Sequence, residues 1–227
     1  MRDELTQYIE HTLLRPDAVE NDYVRLCRES VEHGFFGVCV PPCRVRLASS
    51  LLAESGIRVV SVVGFPLGFQ TTAAKVYEAE NALAEGAHEI DMVINIGALK
   101  EKQWHTLEQE IGEIVRAAEG CKGQSVVKVI IETCYLTDEE KRAAVEVICS
   151  SGANFVKTST GFGTDGATVE DVELLHKAAG GRLGVKAAGG IRTREQALVL
   201  VRAGASRLGT SRGPALVSVP PSLEKRI

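Results

Sequence analysis

Residues 154–163 read NFVKTSTGFG. The first residues alternate as a half-buried strand does, and the rest is a run of small hydroxyl and glycine residues. Lys157 stands at the junction. Lysine is among the side chains least often fully buried, so its place in a strand asks for a reason. Residues 184–193, GVKAAGGIRT, repeat the arrangement with Lys186. Working outward, the same unit recurs along the chain. The apolar runs FGVCV (36–40), RVVSVVGF (58–65), HEIDMVINI (88–96), SVVKVIIE (125–132) and SRLGTS (206–211) alternate with amphipathic stretches such as AAKVYEAENALAEG (73–86) and DEEKRAAVEVICSSG (138–152). Thr137 is a predicted N-cap, with Glu140 completing a capping box. Gly86 and Gly152 read as helix-end glycines.

Strand–helix alternation of this kind predicts βαβ units and a parallel sheet. Seven runs are clear, and YIEHTLL (8–14) supplies an eighth. Eight close an α/β (β/α)₈ TIM barrel. The alternative is an open doubly wound sheet, but no GxGxxG follows the first strand to support it. The 227 residues suit one such barrel. No linker or composition break interrupts them, so a single domain over residues 1–227 is expected.

Composition narrows the function. Apolar residues make up 44% of the chain, enough for a sizeable core, and the net charge of −4 argues against nucleic-acid or anionic-membrane partners. No apolar run reaches the 18 or so residues of a membrane span. The stretch MRDELTQYIEHTLL is acidic and shows no signal-peptide pattern. The six cysteines form no CxxC pair, which suggests neither a zinc site nor a disulfide framework. A reducing cytoplasm is the expected setting. The five histidines show no HxH or HExxH spacing, so neither a metal nor a cofactor is expected. His11 reads as structural. Cys39 reads as a small core residue, with a site-facing thiol as the alternative. Trp104 is expected to pack within a helix.

Strand side chains alternate between two faces. That parity puts Ile90, Met92 and Ile94 on one side of their run and Asp91 on the other. It likewise separates Lys128, Lys157 and Lys186 from their apolar neighbours. In a barrel the apolar face meets the outer helices and the other lines the interior. Asp91, Lys128, Lys157 and Lys186 are therefore expected to converge inside, with Glu132 near them. A purely structural set of ion pairs competes with this reading. Buried pairing is a poor general source of stability, however, because desolvation often exceeds the Coulombic gain. Two adjacent lysines disfavour each other's charge, so one amine should release its proton near neutral pH. A neutral amine is a nucleophile toward carbonyls. The loops TSTGFG, AAGGIRT and LGTSRG follow the strands of Lys157, Lys186 and the last run. Glycine admits close backbone approach, and in barrels the loops after strands 7 and 8 commonly hold a phosphate.

The stretches IEHTLL, GVCVPP, VVSVVGFPLG, EIDMVINIGALK, VKVIIET, FVKTSTGF, VKAAGGIR and LGTS, in that order, resemble the deoxyribose-phosphate aldolase family over nearly the whole chain. The pair FVKTSTGF and VKAAGGIR is specific. The resemblance implies a (β/α)₈ barrel. It implies a metal-independent class I aldolase that splits 2-deoxy-D-ribose 5-phosphate into acetaldehyde and D-glyceraldehyde 3-phosphate. It implies Lys157 as the Schiff-base lysine, Lys186 as its activating neighbour and Asp91 as the proton-relay carboxylate. Gly161, Gly189, Gly190, Gly209 and Ser211 then match the phosphate cradle. It also implies a homodimer or higher homo-oligomer. Two departures stand out. Glu10 occupies a position where many members carry aspartate, and the end, PPSLEKRI, lacks the tyrosine that reaches the site in some members. A different Schiff-base barrel would lack the lysine of VKAAGG, and a non-catalytic sugar-phosphate-binding barrel would need neither lysine.

Overall fold

Each of the eight runs forms a parallel strand, and the last closes on the first. The computed structural model describes residues 4–120 and 125–217. Its strands are β1 (Ile9–Thr12), β2 (Gly37–Val40), β3 (Arg58–Val63), β4 (Glu89–Val93), β5 (Val126–Ile130), β6 (Phe155–Lys157), β7 (Gly184–Ala188) and β8 (Arg207–Thr210). They pair in chain order as a closed barrel. Outside lie α1 (Glu20–His33), α2 (Val45–Leu52), α3 (Thr72–Ala84), α4 (Ile96–Lys100), α5 (Trp104–Glu119), α6 (Asp138–Ser150), α7 (Val169–Ala179), α8 (Arg194–Arg202) and α9 (Gly213–Val217). Among the described residues no helix is long and apolar enough to cross a membrane.

The predicted punctuation holds. Thr137 and Glu140 form the reciprocal capping box of α6. Gly86 and Gly152 adopt φ of 105° and 81° just past α3 and α6. The strands are shorter than their apolar runs. HEIDMVINI leaves the barrel at Val93 because Asn95 instead caps α4, accepting from the Ala98 N–H at 3.1 Å. That short helix is hidden in an apolar run and has no independent sequence signal.

The main core lies between sheet and helices. Ile90, Met92, Val127, Val129, Val156 and Val185 all point outward into it. Trp104 opens α5 and packs against this layer. His11 also faces outward, with one ring nitrogen 3.0 Å from Glu29 Oε2 and the other 3.4 Å from the Thr210 carbonyl, in keeping with a structural role. Inside the barrel the two halves differ. Strands β2 and β3 contribute an apolar cluster of Cys39, Val60 and Val62, joined by Leu14 and Phe65. Strands β1 and β4 to β8 contribute charge. At the floor the Arg207 guanidinium lies over the Phe36 ring at 3.6 Å from its centre and 5.7 Å from the centre of the Phe155 ring. Gly184 makes room for Phe155, since a Cβ there would meet the ring at 2.3 Å.

Candidate active site

The inward charges meet on one carboxylate. Register sets this up: Asp91 lies beside Lys128 across β4 and β5, and Lys157 beside Lys186 across β6 and β7. Asp91 Oδ1 accepts from Lys128 Nζ at 2.9 Å. Asp91 Oδ2 accepts from Lys157 Nζ at 2.7 Å and from Lys186 Nζ at 2.6 Å. Lys128 Nζ also lies 2.6 Å from Glu89 and 3.5 Å from Glu10. Lys186 donates in addition to Glu10 Oε2. Asp91, Lys128, Lys186 and Glu10 are wholly buried, and Lys157 is 3% exposed.

The electrostatics follow from this count of charges. Burial alone would push the Asp91 carboxyl up. The charges of Lys128, Lys157 and Lys186 outweigh it and hold the group well below the usual carboxylate range. Burial alone would pull Lys128 and Lys186 down. Asp91 and Glu10 reverse that for both, with Glu89 adding to Lys128, and hold these two amines above the ordinary lysine value. At neutral pH Lys128 and Lys186 are therefore cations and Asp91 an anion. The two lysines singled out by their strands are not a bare cation pair: one oxygen of Asp91 bridges them.

Glu132 does not join the cluster. It sits just past β5 with φ of 52°, in the left-handed region uncommon for a side chain of this kind. Its carboxyl accepts from the Thr160 N–H at 3.2 Å and from the Thr160 hydroxyl. Burial raises the carboxyl's pKa, and the Thr160 contacts and nearby Lys157 offset this only in part. The parity of its strand points it inward, but β5 has ended by Ile130, so parity no longer governs its direction. What it does is hold the loop after β6. Gly163 permits the approach, because a Cβ there would lie 3.0 Å from the Glu132 carboxyl carbon. Replacing Thr160 with valine removes the hydroxyl and leaves the buried Glu132 carboxyl only the backbone N–H of residue 160, at a cost of about 1–3 kcal/mol. Urea denaturation should register that loss, and Thr160→Ser should recover most of it; a valine variant as stable as the parent would contradict the assigned contact.

Above Lys157 opens a cavity of about 620 Å³. Gly161, Gly189, Gly190, Gly209 and Ser211 all line it together with Lys157. Gly161, Gly189 and Gly190 adopt φ of 85°, 86° and 76°, a conformation that L side chains rarely take. The loops after β6 and β7 pack backbone on backbone, with a Cβ on Gly166 falling 2.3 Å from the Gly189 carbonyl. Gly209 has a second task below the cavity: its missing Cβ would lie 3.3 Å from Lys186 Cε. The cavity wall also includes Arg15, Arg192 and Arg212, which the pattern of glycines did not single out. Cys39 faces the interior but is fully buried, and burial pushes its thiol up. Among the described residues no cluster of three or more His, Cys, Asp or Glu side chains could hold a metal ion.

A family model described as DeoC/LacD family aldolase matches residues 7–215. The chain belongs to this aldolase family. Deoxyribose-phosphate aldolase from Thermococcus kodakarensis is 54% identical over 222 residues, covering 96% of this chain and 97% of its own. That from Dictyoglomus turgidum is 55% identical over 217 residues, covering 96% and 97%. The solved aldolase QR15 superposes with a TM-score of 0.90 at 41% identity, covering 98% of this chain and 97% of its own. A tetrameric deoxyribose phosphate aldolase from Aeropyrum pernix gives 0.88 at 34%, covering 98% and 92%. Within this aldolase, the residues that the strand pattern missed are Glu10, Thr160 and the three arginines. Only Glu10 carried a sequence signal, as a carboxylate inside a strand. The end of the chain, where a tyrosine is absent from the sequence, and Cys121 lie outside the described residues.

Proposed function

We propose that this aldolase acts through a Schiff base on Lys157 and reversibly cleaves 2-deoxy-D-ribose 5-phosphate into acetaldehyde and D-glyceraldehyde 3-phosphate. The observation that carries this is the position of Lys157. Its amine is at the bottom of an open cavity, 2.7 Å from a carboxylate held ionised by flanking ammonium groups. Lys157, as the free amine, adds to the substrate aldehyde. Loss of water gives a protonated imine, an electron sink. Asp91, through a water and with the Lys186 ammonium, takes the proton from the hydroxyl on the third sugar carbon. The bond between the second and third carbons breaks as that oxygen becomes the aldehyde of glyceraldehyde 3-phosphate. The electron pair is taken up by the imine, leaving an enamine on Lys157. Protonation of the enamine and hydrolysis of the imine release acetaldehyde and restore the amine. Proton transfer of this kind contributes about 10²–10⁴-fold.

The backbone of Gly161, Gly189, Gly190 and Gly209, with the Ser211 hydroxyl, is proposed to receive the phosphate. Binding at that remote end orients the carbons that react. The active chain is read as a single domain over residues 1–227, working in the cytoplasm as a homodimer or higher homo-oligomer. The five described cysteines are free, which supports that compartment.

The deciding experiment is reduction with borohydride in the presence of acetaldehyde. One reduced adduct on Lys157, located by mass spectrometry of peptides, is the expected result. An adduct on Lys128 or Lys186 instead would contradict the assignment. No metal enters the reaction as written, so activity should survive prolonged dialysis against EDTA. Loss of activity with recovery on adding zinc would rule out the class I reading.

A further inference from the structure

We propose that Glu10 is a positioning residue for Lys186, setting both the place and the charge of that ammonium against Asp91. The proposal rests on the reaction assigned above, in which Lys186 acts as a cation.

Glu10 is buried in β1, 176 residues from Lys186 in the chain, yet its Oε2 accepts from Lys186 Nζ. Lys186 is thus held between two carboxylates, Glu10 on one side and Asp91 at 2.6 Å on the other. The barrel makes space for the contact on the β8 side of Glu10. Its register neighbours are Gly37 on β2 and Gly209 on β8. Gly209 also leaves room for the Lys186 stem. A buried carboxylate on a buried lysine whose path a glycine clears marks a built contact.

Charge explains why it is needed. Without Glu10, Asp91 alone would balance Lys128, Lys157 and Lys186, with only Glu89 to help from beside Lys128. The groups facing Lys186 from each side are Glu10 on β1, Cys39 on β2, Asp91 on β4, Lys128 on β5 and Lys157 on β6. Strand β3 offers Val60 and Val62, and β8 offers Arg207. Of these, Glu10 and Asp91 supply the negative charge that keeps Lys186 protonated against burial and against Lys128. The second Glu10 oxygen has no hydrogen-bond partner and sits 3.5 Å from Lys128 and 4.0 Å from Arg207 Nε. Glu10 therefore directs one oxygen to Lys186 and leaves the other in the field of two further cations.

The test is the pH profile of kcat for Glu10→Gln and Glu10→Asp. Glutamine keeps the shape and removes the charge. An opposite charge at this range moves a pKa by about 1–3 units, so the alkaline limb of Glu10→Gln should shift to lower pH by about that much. Aspartate keeps the charge but draws it back, so its limb should stay near the wild-type position while kcat falls. Borohydride trapping at Lys157 should persist in both variants, which separates failure of this proposal from failure of the Schiff-base reading. A merely structural Glu10 would lower activity in both variants without moving either limb, and that result would overturn the proposal. If Glu10→Gln alone does not fold, the double variant Glu10→Gln with Lys186→Met should, because it removes both members of a buried pair rather than stranding one. A double variant that stays unfolded would also overturn it.

Discussion

Replacing Lys157 with leucine should abolish cleavage of 2-deoxy-D-ribose 5-phosphate while leaving the barrel folded. Loss of a covalent nucleophile costs on the order of 10⁴–10⁶-fold in kcat in enzymes where the residue forms the intermediate. The fold should survive because no charge is stranded. In the variant Asp91 Oδ2 still accepts from Lys186 at 2.6 Å, and Oδ1 from Lys128 at 2.9 Å. Lys157 is the one member of the cluster that reaches the cavity, so leucine there meets no closed cage of carboxylates. A coupled assay for glyceraldehyde 3-phosphate, read beside a thermal melt, distinguishes the two effects. Activity within a hundredfold of wild type in a folded Lys157→Leu protein would remove Lys157 from the chemistry.

Asp91→Asn should do both kinds of damage. The asparagine keeps the shape but leaves the buried lysines without their shared carboxylate, facing only Glu10 and Glu89. Breaking a buried pair by removing one partner costs about 3–5 kcal/mol. At about 2–4 °C per kcal/mol for a chain of this size, the midpoint should fall by roughly 6–20 °C. The proton relay goes as well, so kcat should drop by about 10²–10⁴-fold. The stability loss carries a pH signature. The folded pKa of Asp91 is depressed, so its contribution is fully present above the unfolded value of 3.8 and is lost as pH falls through the lower folded value. The gap between wild type and variant, measured by denaturant at several pH values, should be constant from neutral pH down to about 5 and close below about 4. A gap that is already closing at pH 6 would mean that another group dominates. Together the two variants separate chemistry from architecture: Lys157 should matter to rate alone, Asp91 to rate and fold.

The predictions also show which features of the site a chain pattern can carry. Lys157 and Lys186 were visible because a lysine inside an apolar run is costly unless something uses it. Asp91 and Lys128 were visible by the same argument, and the parity of each strand assigned all four to one face. The glycine loops were visible by composition, and all five proposed phosphate residues line one cavity with Lys157. The arginines of that cavity were not, because an arginine in a loop is ordinary surface chemistry until the loop is seen to fold over a site. Glu132 lies near enough to feel Lys157 but bonds outside the cluster for a definite reason: alternation ends where the strand ends, and its run continues two residues beyond β5.

By itself, then, the order of residues determined the alternation of strand and helix, the number of strands and the face on which each charged side chain within a strand lies. Those are properties of local period, propensity and capping, which are written in neighbouring residues. Only the tertiary structure decided who meets whom. Closing the sheet brings β1 against β8, and that joins Glu10 to a lysine 176 residues away. The register of β6 on β7 puts Lys157 level with Lys186, and the width of the barrel lets one Asp91 oxygen serve both. A slip of one residue would have turned the same lysines into the helical layer. The charge state of each group depends in turn on those distances. The lysine of NFVKTSTGFG could thus be assigned to a face from its neighbours, but its chemistry was decided by partners on strands that the chain reaches only by closing.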